Sequence, residues 1–224
     1  MEFTTVGGLL LWGAVVGLDL ATIAQVMIAR PLVAGVVAGW IIGDVQAGLI
    51  VGAILELFAL EVLPFGAARY PDYGLGAVAA AATAGGAPGV FGIGIGVAVG
   101  LLIAYSGQIA IQLVRQRTGV DVVRRREAID SGDVRVIYSL HLRGIMRDAA
   151  RAIALTGLGL LLAAGVRTAM PVDVRGAVLL SAVAMGVGLG TTLVSGTRIA
   201  RDARGGRVWL AAGLLAGVAW VVVR

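Results

Sequence analysis

The chain has 224 residues, 59% of them hydrophobic and 14% charged, with a formal net charge of +5 and a mean hydropathy of +0.97. A soluble domain carries about 25% charged residues to cover its surface, so this composition excludes an ordinary soluble enzyme. With no cysteine, P-loop, nucleophile–base motif or metal-ligand cluster, the sequence offers no catalytic residue and calls for no metal or other cofactor.

The first apolar run, Val6–Ile28, is long enough to span a bilayer and would carry Gln25 inside it. No basic stretch precedes it, so it reads as a span and not as a cleavable signal. Leu32–Ile42 and Gly48–Leu60 follow, each too short to cross easily, with Gly43-Asp44 between them. Short apolar segments interrupted by Gly, Pro and acids point to discontinuous or re-entrant helices around a site at the membrane midplane. Gly35, Gly39 and Gly43 recur every four residues, as do Gly48 and Gly52, and later Gly92, Gly96 and Gly100. Such stripes predict helix backbones in close approach.

Glu56 continues the Gly48–Gly52 spacing and shares their helix face, which should meet protein instead of lipid. An acid near the bilayer centre costs about 2.5–3.5 kcal/mol, and one Leu returns only about 0.5 kcal/mol. Glu56 is therefore expected either to bind a solute or to pair with Arg30 or Arg69. Glu61 falls about 140° further around the helix, beside the Pro64 break. Asp44 reads equally as an N-cap and as a ligand contact, and Asp72, after Pro71, is placed to cap Gly74–Ala87. Gln25, Asp44, Glu56, Arg69 and Asp72 form the candidate binding set, since hydroxyl-rich solutes need both donors and acceptors.

Gly89–Val114 is the next span. Nine arginines then fall between Arg115 and Arg151, and four more lie at Arg198, Arg201, Arg204 and Arg207. The positive-inside rule places both clusters on the cytoplasmic side, a reading preferred to nucleic-acid binding. Ala152–Ala169 and Gly176–Val194 supply the two crossings between them, joined outside by Met170–Arg175. Val208–Val223 leads outward again or re-enters. Within the first cluster, Asp130–Asp133 reads as a turn and Val134–Ile145 as an amphipathic helix on the membrane surface. Arg124, Arg125, Arg126 and His141 suit docking of a soluble partner there, or a structural role for the histidine. The fold expected is all-α: a polytopic integral membrane protein with Gly-packed transmembrane helices and broken or re-entrant helices in its first half. It forms one membrane domain, 1–224, divided into a substrate region (1–114), an Arg-rich cytoplasmic segment (115–151) and C-terminal spans (152–224).

Particular residues carry a family resemblance. Gln25-Val-Met-Ile-Ala-Arg30-Pro31-Leu, then Gly43-Asp44-Val-Gln-Ala-Gly48-Leu-Ile-Val-Gly52-Ala-Ile-Leu-Glu56, resembles the enzyme IIC subunit of the mannose/sorbose-family phosphotransferase system. Phe65-Gly-Ala-Ala-Arg-Tyr-Pro71-Asp72 is similar to that family's NIGAA…PD, and Ser139-Leu-His141 through Arg151 matches loosely. The chain departs from the family pattern at Ala47, Glu61 and Pro64, where Thr, Gly and Asn are usual. The resemblance implies a sugar-permeating subunit in a bacterial cytoplasmic membrane, working with a IID membrane subunit and soluble IIA and IIB phosphocarriers in an oligomeric complex. It further implies that phosphate passes from a histidine on IIB to the sugar and never onto IIC. Two other readings stay open at this point. One is an ion- or proton-coupled carrier using Glu56 and Asp44, and the other a non-transporting docking subunit for phosphocarriers.

Overall fold

The computed structural model describes residues 2–23, 25–60, 69–85, 89–169 and 174–202. Among the described residues all regular structure is helical: α1 (Phe3–Ala21), α2 (Pro31–Ile42), α3 (Val45–Ala59), α4 (Tyr73–Ala84), α5 (Gly89–Arg124), α6 (Arg126–Asp130), α7 (Val134–Ala169) and α8 (Val174–Asp202). Three of them, α1, α5 and α7, contain stretches long and apolar enough to cross a membrane. Leu11, Leu102, Ile109 and Leu161 stand exposed on these helices, an arrangement that suits lipid and would be an aggregation liability in water. This is the expected all-α, polytopic membrane architecture.

Of the shorter apolar helices, α4 is buried throughout, while α2 and α3 pack against it with one face and leave Leu32, Trp40 and Leu49 exposed. At about 1.5 Å per residue, α2 and α3 reach only about 18 and 22 Å, against a hydrocarbon core of about 30 Å. They fold as an antiparallel hairpin whose turn is Gly43, with φ +81°, followed by Asp44, whose carboxylate accepts from the Ala47 N–H at 2.9 Å. The left-handed turn requires a residue without a Cβ, and the Asp satisfies an amide that the helix start would otherwise leave unpaired. Along the hairpin, Gly35 and Gly39 face Gly48, and Gly52 faces Pro31 and Leu32. The four-residue stripes thus form a contact surface between α2 and α3.

The α4 helix, sequence YGLGAVAAAATA, is buried along its whole length and packs on α1, α2, α3, α5 and α7. Ala and Gly dominate it because five neighbours converge there, and in lipid helix association rests on close packing. Gly96 and Gly100 of α5 seat against Ala80, Ala84 and Gly76 of α4, and Gly107 opens the space that Asp72 fills.

Four expectations need correction or trimming. The first helix ends at Ala21, so Gln25 is outside it: the Asp19 carboxylate accepts from the Val26 and Ala29 amides at 2.7 and 2.9 Å and turns the chain back. In this segment Gln25 and Met27 adopt φ +50° and +70°, the left-handed region that non-glycine residues rarely use. The span expected to end at Val114 continues as helix to Arg124, tied to α7 by the Asp121–Arg147 ion pair. No separate surface helix forms at Val134–Ile145; Asp133 caps a single helix that runs on to Ala169. The α4 helix ends at Ala84, capped by Gly85, instead of reaching Ala87. Glu61, Pro64, the turn around Pro171 and Asp173, and the run Val208–Val223 lie outside the described residues.

An ideal Cβ at Gly52 would stand 2.8 Å from the Pro31 carbonyl oxygen, which is backbone and cannot swing aside. Gly52→Leu should therefore cost about 1–3 kcal/mol or more by overpacking, read as a lowered unfolding midpoint in detergent. Gly119→Ala, where a Cβ meets nothing within 4 Å, should leave the midpoint unchanged or raise it slightly.

Candidate functional site

Two groups of charged residues are built into the bundle. The first sits at the open end of the α2–α3 hairpin. Arg30 precedes Pro31, the first residue of α2, and its guanidinium pairs with the Glu56 carboxylate. The second Glu56 oxygen accepts from the Leu32 N–H at 3.2 Å, satisfying one of the unpaired amides at the start of α2. Glu56 thus lies on the Gly48–Gly52 face, turned toward protein as its spacing requires. Of its two sequence-predicted partners, Arg30 takes it. The Glu56 and Arg30 side chains keep 17% and 34% of their surface, so the pair remains reachable from outside the bundle.

The second group is sealed. Arg151 of α7 donates from Nη1 to Asp72 at 2.7 Å, from Nε to Asp148 at 2.6 Å, and from Nη2 to the Gly17 carbonyl at 3.3 Å. Its side chain and those of Asp72 and Asp148 are 3%, 1% and 4% exposed. The other Asp148 oxygen accepts from the Thr22 hydroxyl. Asp72 also caps α4 through the Leu75 N–H at 3.2 Å, while its own amide donates to the Ala104 carbonyl of α5 at 2.9 Å. One guanidinium therefore joins the end of α1, the start of α4 and the middle of α7.

Beside this network, a cavity of about 470 Å³ opens between the end of α1, α5 and α7. Arg115 lines it, held by Tyr70, whose hydroxyl accepts from Nη2 at 2.9 Å and whose ring centroid lies 5.4 Å from the guanidinium carbon. His141, Thr118, Thr22 and Asp148 face the same space.

The sequence-predicted binding set is therefore dispersed in role. Glu56 is half of an accessible ion pair, Asp44 caps α3, and Asp72 is buried as both cap and ion-pair partner. Gln25 is exposed and donates to the Leu20 carbonyl at 3.2 Å, and Arg69 is exposed. Of the docking set, Arg124 is exposed, Arg126 pairs loosely with Asp130 on the surface, and His141 lies at the cavity mouth. Sequence reasoning missed Asp19, Asp148 and the inward role of Arg151. The signals were present: Asp19 is the sole acid of an apolar run, and Asp148 and Arg151 stand one helical turn apart. Among the described residues no group of His, Cys, Asp and Glu is placed to hold a metal ion.

A family model described as the sorbose-specific IIC component of the phosphotransferase system matches residues 4–189. The chain is 31% identical over 122 residues to a mannose-specific EIIC component of Escherichia coli K12, covering 54% of this chain and 45% of that one. It is 34% identical over 116 residues to a sorbose-specific EIIC component of Klebsiella pneumoniae, covering 52% and 43%. The match thus spans about half the length of these relatives. Among solved structures, a chain of the mannose transporter ManYZ in complex with microcin E492 superposes with a TM-score of 0.64 at 22% identity, over 97% of this chain and 87% of that one. A second, described as a membrane protein, gives a TM-score of 0.67 at 21% identity over 99% and 96%. These two likenesses establish the fold.

Removing one partner of a buried charge pair costs about 3–5 kcal/mol, because the remaining charge is stranded. Arg151→Met should therefore lower the unfolding midpoint sharply. Adding Asp72→Asn and Asp148→Asn should recover part of the loss, as measured by a mutant cycle on thermal unfolding.

Proposed function

The chain belongs to the sorbose-specific IIC family of the phosphotransferase system, and we propose that it is the sugar-translocating subunit of a phosphoenolpyruvate-dependent complex. The observation that carries this reading is the family match over residues 4–189, which takes in the α2–α3 hairpin with its charged end. In this reading the subunit sits in the cytoplasmic membrane of a bacterium beside a IID subunit. It binds sugar and presents it to a soluble IIB protein that has been phosphorylated through IIA.

The chemistry of the hairpin end supports a sugar contact there. A carboxylate and a guanidinium held together offer acceptors and donors side by side, which is what a vicinal pair of sugar hydroxyls requires. Asp44 and Asp72 serve by fixing the starts of α3 and α4, and exposed Gln25 and Arg69 are the remaining candidates for sugar hydroxyls. The Arg-rich segment, with Arg124, Arg125 and Arg126, supplies the positive field that an anionic phosphocarrier would follow to its docking place. Phosphoryl transfer then occurs on the partner's histidine, with this chain stabilising charge and positioning sugar.

Glu56→Gln should reduce uptake of labelled sugar by the complete complex at least tenfold while membrane insertion stays intact. Equal uptake would remove Glu56 from the site, and uptake without the partner subunits would point to an ion-coupled carrier. After incubation with phosphoenolpyruvate and the soluble proteins, acid-labile phosphate should be recovered on the soluble partners and none on this chain. Single cysteines at Ser131 and Arg204 should both react with a membrane-impermeant thiol reagent only from the cytoplasmic side.

A further inference from the structure

We propose that the cavity between α1, α5 and α7 binds the phosphate of a phosphate ester, with the sugar phosphate formed by the complex as its ligand. The inference rests on the sugar-phosphotransferase reading for the identity of the ligand, and on the cavity itself for the chemistry. Neither Arg30 nor Glu56 lines this space, so it is a second site and not an extension of the hairpin end. At about 470 Å³ it lies within the roughly 300–1,000 Å³ typical of small-molecule pockets.

The groups facing it favour an anion. Arg115 lines it with a planar guanidinium of five donors, the group whose geometry matches phosphate, and Tyr70 fixes the plane of that group by accepting from Nη2 and by its ring face. His141 and Thr118 add donors from α7 and α5. The one carboxylate present, Asp148, is engaged on both oxygens, by Arg151 Nε and by the Thr22 hydroxyl. Its charge is thus countered from behind, by a guanidinium that does not itself line the cavity. An unphosphorylated sugar needs acceptors as much as donors, and the one carboxylate here already serves two partners. Ile111 and Leu140 complete the wall with apolar surface, and His141 is exposed, so the space opens outward. The cavity also adjoins the Arg-rich segment, whose field draws anions to its mouth. A phospholipid headgroup carries the same phosphate chemistry, and the test separates the two sources.

The purified full-length chain is placed in nanodiscs of phosphatidylcholine and titrated calorimetrically with mannose 6-phosphate, mannose and inorganic phosphate. Mannose 6-phosphate should bind at least tenfold more tightly than mannose. Arg115→Gln and, separately, Thr118→Val should each weaken it at least threefold while leaving mannose binding as it was. Thr118→Val carries the test if loss of the Arg115–Tyr70 contact impairs folding. Equal affinity for mannose 6-phosphate and mannose, or affinity unchanged in Thr118→Val and in a folded Arg115→Gln, overturns the proposal. Repeating the titration in phosphatidylglycerol nanodiscs identifies the source. Undiminished binding supports the sugar phosphate, and a tenfold loss by competition overturns that assignment in favour of a lipid headgroup. Sugar uptake by the whole complex is measured in parallel. Normal uptake with no phosphate binding sinks this inference alone, whereas phosphate binding without uptake sinks the transport reading alone.

Discussion

Arg151 is held between Asp72 and Asp148 in the interior of the bundle, and the junction of α1, α4 and α7 depends on it. Moving three charges out of water is expensive, and their mutual attraction offsets that expense only when each lone pair and proton finds a partner. Here every side-chain nitrogen and oxygen of the three residues has at least one partner, Gly17, Thr22 and Leu75 completing the set that the charged groups begin. Each of these partners belongs to the end of α1 or the start of α4, so the network holds those two helix ends together. A buried ion cluster is weak evidence for stability, but it is strong evidence for register. Sliding α7 by one residue past α1 and α4 would strand the guanidinium among apolar groups.

Small residues are the second constraint, and they work with the first. Lipid gives helices no hydrophobic reason to associate, so contact area and polar pairing must hold the bundle together. The glycine stripes provide the area: Gly35, Gly39, Gly48 and Gly52 bring α2 against α3, and Gly96 and Gly100 bring α5 against α4. Gly107 belongs to both constraints at once. An ideal Cβ there would stand 2.6 Å from the Cβ of Asp72, so the buried carboxylate occupies space that only glycine leaves open.

Much of this was legible in the sequence. The apolar runs, the Gly43-Asp44 break, the spacing that places Glu56 on a glycine face, and the capping aspartates are local signals, each readable within a few residues. The family resemblance at Gln25–Glu56 came from the same stretch. What escaped were properties set by distant segments. Asp72 was read as a cap, which it is, but its partner is Arg151, 79 residues away in the chain. Arg151 was grouped with the surface arginines because composition cannot say which member of a basic cluster turns inward. Gln25 was placed within a helix because the apolar run continues through it; the Asp19 carboxylate, by capturing two amides, ends that helix early. The continuity of α7 was likewise hidden, since a polar half and an apolar half on one axis look like two helices.

The two charged groups differ in a way that bears on how such a subunit works. The Arg30–Glu56 pair joins the two ends of one hairpin and keeps a share of its surface open, whereas the Arg151 network joins three separate parts of the bundle and is sealed. A partly exposed pair can exchange partners at less cost than a sealed one. A sealed network cannot do so without stranding charge, and it is therefore suited to holding a frame still. The α4 helix stands between them: its Asp72 end is anchored in the network, and its length is packed against α2 and α3. The hairpin's largest contact with the bundle is α4, whose Ala and Gly surface offers few large side chains to interlock. The sequence thus combines a fixed charged anchor with a smooth packing surface, the pairing needed if one short hairpin is to shift while the surrounding spans keep their places.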